Sequence, residues 1–140
     1  MVVDSVRYIN EDFFISGNNA GSVCLWSTTK KKPIVIKANA HPLPEGSDAA
    51  AQQPWVSAVG ALVNSDLVAT GSSDGFIRVW KCTQKFIALE PLFEIPVKGV
   101  VNEIRITPGG LLVAACGRSH RLGSWATHKA KNQVLVAKLF

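Results

Sequence analysis

No acidic residue follows Glu103, no CxxC pair occurs, and no uncharged apolar run is long enough to span a bilayer. Each absence excludes something. Without the apolar run no membrane helix is expected, and the opening Met-Val-Val-Asp-Ser-Val-Arg lacks the h-region of a secretory signal. Cys24, Cys82 and Cys116 are too few and too scattered for a disulfide framework, so they read as reduced, packed thiols of an intracellular protein. His41, His120 and His128 have no paired metal-ligand spacing, and no metal is expected. No G-x-S-x-G elbow, Walker loop or G-x-G-x-x-G is present, which removes the hydrolase and nucleotide-binding readings. The chain is expected to be no enzyme and to need no cofactor. A sustained 3.6-residue period is also missing, so helix should be essentially absent.

What is present is a chain of 140 residues, 47% hydrophobic and 18% charged, enough for one domain with a core. Its net charge of +5 is unevenly spread. All the acidic residues lie at or before Glu103, while Arg105, Arg118, Arg121, Lys129, Lys131 and Lys138 follow it unopposed. Such a C-terminal quarter is either an electropositive surface that attracts polyanions or an ordinary solvated face.

Three segments align on a tryptophan: FISGNNAGSVCLW (residues 14–26), VATGSSDGFIRVW (68–80) and VAACGRSHRLGSW (113–125). In the first two, Gly17 and Gly21, then Gly71 and Gly75, fall nine and five residues before Trp26 and Trp80. The third is degraded, with Cys116 and His120 in place of those glycines. Apolar runs bounded by Gly, Asn, Asp and Ser predict strands. They fall at 5–9, 13–17, 22–27 and 34–37 in the first unit, and at 56–62, 66–71, 76–81 and 89–95 in the second. The third unit gives 101–106, 111–116, 121–125 and 134–139. Asp74-Gly75 is a hairpin signal, because glycine accepts positive φ without steric cost.

Four strands per unit, a Gly-x-x-Asp-Gly turn and a closing tryptophan resemble the WD-repeat family, whose units are blades of a β-propeller. The resemblance implies an all-β propeller part of three four-stranded antiparallel blades within a seven-bladed ring. Its divisions are 1–38 for the first blade, 39–54 for an inserted loop, 55–96 for the second blade and 97–140 for the third. It also implies a buried network of His41, Thr70, Asp74 and Trp80. Ala20 and Ser119 replace the aspartate in the flanking units, so their turns should be less rigid and should tolerate change.

Further details share one order with the WD-repeat proteins that interact with U3 small nucleolar RNA. They are Lys30-Lys31-Lys32-Pro33, an insertion ending Gln53-Pro54-Trp55, Asn64-Ser65-Asp66-Leu67-Val68-Ala69-Thr70-Gly71-Ser72, and His120-Arg121-Leu122-Gly123. Similarity to that family implies a noncatalytic component of the U3 ribonucleoprotein in the nucleolus, acting in pre-rRNA processing. The implied partners are the box B/C region of U3 RNA, a small k-turn-binding protein and other small-subunit processome proteins, with no membrane. The alternative is a generic WD-repeat scaffold that binds peptides. Three blades cannot close a ring, so the chain is expected to be part of a larger propeller, the alternative being a symmetric dimer that builds six blades, and alone to be oligomeric or poorly soluble.

Two basic groups are the RNA-binding candidates. Arg118, His120 and Arg121 occupy the third unit's turn, the sharper choice, and Lys129 and Lys131 follow in what should be the next connection, at the opposite end of those strands. Lys30, Lys31 and Lys32, between the third and fourth strands of the first unit, should share the end of Lys129 and Lys131. Trp26, Trp80 and Trp125 are repeat-phased and read as core. Trp55 is off-phase, either surface or strand start.

Overall fold

The computed structural model describes residues 2–43, 45, 46, 54–120 and 131–140, and contains eleven strands and no helix among them. The first antiparallel sheet is β1 (Val3–Tyr8), β2 (Phe13–Asn18), β3 (Val23–Ser27) and β4 (Val35–Lys37), in that order. The second is β5 (Ala58–Ala61), β6 (Leu67–Gly71), β7 (Phe76–Thr83) and β8 (Ala88–Pro96). The third is β9 (Val100–Ile106), β10 (Leu111–Gly117) and β11 (Gln133–Lys138).

The strand period of two explains the packing. In the middle sheet Val59, Val68 and Trp80 face the first sheet, while their neighbours Ala58, Ala69 and Val79 face the third. Both faces are buried, so these strands read as continuous apolar runs rather than as alternation. Gly17 and Gly71 stand where Cβ atoms would overlap Val56 and Val101, and their bareness lets the segment just before β5, and β9, approach closely. The two outer faces of the stack stay apolar and open: Val3, Val6 and Tyr8 on β1 are 51%, 49% and 53% exposed, and Val134 and Val136 on β11 are 68% and 60% exposed.

The third sheet departs from expectation. It has three strands among the described residues, not four, and the strand expected at 121–125, with Trp125, lies outside the described residues. The strand expected to be fourth, β11, pairs directly with β10 and takes the third place. The tryptophan alignment also slips by one residue. Leu112, not Val113, faces the preceding sheet as Val68 does, and it pairs with Ala137 where Val68 pairs with Trp80. A single-residue slip exchanges the two faces of a strand. Alignment on Trp125 gives the third place in this sheet to residues 121–125, whereas β11 occupies it.

Candidate functional site

The β2–β3, β6–β7 and β10–β11 connections leave the stack at one end, here the upper end, where the chain also crosses between sheets. In the β6–β7 turn Gly75 has φ 92°, and the Asp74 carboxylate accepts the Phe76 amide at 3.2 Å, which fixes the turn. The same carboxylate meets His41 Nδ1 at 2.9 Å, His41 Nε2 lies 2.8 Å from Thr70 Oγ1, and the Trp80 indole N–H donates to Thr70 Oγ1 at 2.9 Å. Indole is a donor only, so the Thr70 oxygen accepts from it and turns its own proton toward His41 Nε2. His41 then donates from Nδ1 to Asp74, and each of these contacts pairs a donor with an acceptor. His41 is fully buried and the Asp74 side chain is 1% exposed. Burial pushes the Asp74 carboxyl up, but the His41 contact, the Arg78 guanidinium and the Phe76 amide together outweigh it and hold it below its ordinary value.

The first sheet keeps more of this arrangement than its sequence shows. Trp26 donates to Ser16 Oγ at 2.8 Å, as Trp80 does to Thr70. With Ala20 in the aspartate's place, Asn18 braces the turn instead, its Oδ1 accepting the amides of Ala20 at 2.9 Å and Ser22 at 3.1 Å. The signal was an asparagine at the strand end, an Asx-turn former hidden by alignment on the missing aspartate.

Arg78 extends the middle network outward, pairing with Asp74 at 3.2 Å and with Glu94 on β8. Beside it a groove of about 430 Å³ runs between the first and second sheets, floored by Trp80 and Ala40 and walled by Lys37, Pro42 and residues 91–94 of β8.

The basic candidates are distributed differently from expectation. Lys131 precedes Asn132, whose Oδ1 accepts the Arg118 amide at 3.3 Å, so Lys131 lies beside Arg118 at the upper end, not opposite it. The reason is again β11: the connection expected to follow a third strand is the β10–β11 connection itself. Arg118 and Lys131 are exposed. Lys98, missed in the sequence, is exposed in the β8–β9 connection two residues before Val100, which pairs with Gly117. His120 is withdrawn from this surface: it is 6% exposed, its ring 5.7 Å from Trp55 and nearly perpendicular to it. Trp55 is thereby placed, half-buried between the second and third sheets. Arg121 and Lys129 lie outside the described residues. Lys30, Lys31 and Lys32 are exposed in the β3–β4 connection, at the opposite, lower end, and do not join Lys131.

All three cysteines are buried, and burial, aided by the Asp66 charge, pushes the Cys82 thiol up to about 12, which leaves no thiolate for chemistry. Among the described residues no group of three or more His, Cys, Asp or Glu could hold a metal ion.

Comparison with known proteins gives one consistent answer. Residues 49–81 match the family model "WD domain, G-beta repeat". The mouse U3 small nucleolar RNA-interacting protein 2 is 42% identical over 139 residues, 98% of this chain and 29% of that protein. The Saccharomyces cerevisiae ribosomal RNA-processing protein 9 is 30% identical over 151 residues, 88% of this chain and 26% of that protein. A crystal structure of RRP9 WD40 repeats superposes with a TM-score of 0.91 at 40% identity, covering 99% of this chain and 42% of that one. The chain thus spans less than a third of the length of these relatives. It has the WD40 fold and is homologous, over nearly its whole length, to part of the proteins named for their interaction with U3 small nucleolar RNA.

Proposed function

We propose that this chain is part of a noncatalytic RNA- and protein-binding component of the U3 small nucleolar ribonucleoprotein, acting in pre-rRNA processing and small-subunit biogenesis in the nucleolus. The observation that carries this reading is the 42% identity that runs along 98% of the chain rather than through the repeat signature alone. Buried thiols and a structural, fully engaged His41–Asp74 pair agree with a binding role. In the finer reading, the protein engages the box B/C region of U3 RNA together with a small k-turn-binding protein, among other processome proteins.

The surface offered to RNA is the upper end around Arg118, Lys131 and Lys98; Arg121 and Lys129, the other candidates from the sequence, lie outside the described residues. Arginine's planar fork suits phosphate and stacks on unpaired bases. Lys30, Lys31 and Lys32 form the competing surface. The test is ultraviolet crosslinking in cells, with the crosslinked RNA sequenced. Reads concentrated on U3 box B/C support the proposal. Reads spread over unrelated RNAs, or none above an untagged control, overturn it.

A further inference from the structure

The groove between β4 and β8 has a built floor. Trp80 is 3% exposed and its indole is locked by the bond to Thr70, and Ala40 beside it is also 3% exposed. One wall is shaped by a β-bulge. Val79 pairs with Phe93 and Trp80 with Pro91, so Leu92 is the extra residue between them. A bulge re-aims the side chains around it. Here it leaves Leu92 48% and Phe93 44% exposed, next to the exposed Pro91. Pro42 closes the facing wall.

The polar groups of the groove are unevenly matched. Glu94 is neutralised by Arg78, and Arg78 is held by Asp74 from behind. Lys37 at the rim is exposed and makes no ion pair among the described residues. A rigid apolar floor and an exposed apolar wall bordered by an unpaired cation call for an apolar group with a negative charge beside it. RNA suits it less well, because the lining offers one unpaired cation and an apolar wall rather than a track of phosphate contacts.

We propose that this groove binds an extended protein segment that lays an apolar side chain between Trp80 and Phe93 and sets a neighbouring carboxylate against Lys37. The site is separate from the basic upper-end surface, so it stands or falls independently of RNA binding there. It takes a partner by an acidic–apolar sequence.

Fluorescence polarisation with a labelled hexapeptide, Glu-Asp-Leu-Phe-Asp-Glu, on the complete protein tests it. Saturable binding is expected, weakened about tenfold or more by Phe93→Glu and by Lys37→Glu, both at exposed positions. Lys37→Glu should in turn gain affinity for the peptide with lysines in place of its acidic residues, a reversal that a merely misfolded variant cannot produce. Arg118→Glu should leave peptide binding unchanged. The proposal is overturned by absence of saturable binding, by equal binding to the variants and wild type, or by a single-stranded uridine oligonucleotide that binds in place of the peptide and is lost with Lys37→Glu.

Discussion

Replacing Asp74 by alanine removes one acceptor from three donors. The His41 Nδ1–H is fully buried, and the Phe76 amide and Arg78 guanidinium are part-buried. An unmatched buried donor costs about 1–3 kcal/mol. Removing one partner of a buried charged contact costs about 3–5 kcal/mol when the other charge stays behind. Water reaches Arg78, which remains held by Glu94, so its share is small and the His41 donor dominates. We expect Asp74→Ala to destabilise by about 3 kcal/mol. Asp74→Asn, which keeps an acceptor for the turn amide, should cost about half of that. The assay is equilibrium urea unfolding at low micromolar concentration, read by tryptophan fluorescence, with Ser119→Ala as control because among the described residues only the Ser119 carbonyl, not its hydroxyl, makes a hydrogen bond. A loss below about 1 kcal/mol for Asp74→Ala, indistinguishable from the control, would refute the claim that this contact organises the middle sheet.

In the first sheet Asn18→Ala should destabilise by about 1–2 kcal/mol, since Asn18 braces two turn amides, whereas Ala20→Ser should be nearly neutral in the same unfolding assay. The Asp74 carboxyl sits below its ordinary value in the fold, so its contribution is complete above the unfolded carboxylate pKa of about 4 and is lost as pH falls through the lower folded value. The stability gap between wild type and Asp74→Asn should therefore be flat from about pH 6 to 5 and shrink below about pH 4, as followed by unfolding at each pH. Because Val3, Val6 and Tyr8 cover one outer face and Val134 and Val136 the other, the 140-residue chain should associate as its concentration rises. Light scattering after size exclusion checks this, and Val134→Lys with Val136→Glu should reduce the association.

The middle sheet was legible because every local signal agreed. Asp74-Gly75 set the turn, continuous apolar runs matched burial on both faces, and the resemblance to WD repeats implied the contacts of His41, Thr70, Asp74 and Trp80. The third unit was misread because Trp125 offered a plausible phase, while the informative pattern was the alternation of exposed Val134 and Val136 with inward Leu135 and Ala137. That one misplacement sent Lys131 to the wrong end of the sheet. The bracing of the first turn by Asn18 was hidden for a related reason, since a side chain two positions away can supply the oxygen that the repeat pattern assigns to aspartate. His120 looked like a surface group because its neighbours are basic. Its burial depends on Trp55 arriving from another sheet, and nothing local announces that contact.

The most direct measurement is the salt dependence of U3 RNA binding by the complete protein. In it, wild type is compared with Arg118→Glu plus Lys131→Glu and with the triple reversal of Lys30, Lys31 and Lys32. The upper-end pair should lose affinity, and the slope of log affinity against log salt should flatten by roughly one unit per phosphate contact removed, while the lower-end triple variant stays near wild type. Unchanged affinity and slope for the upper-end pair, with loss in the lysine triple variant, would contradict the assignment.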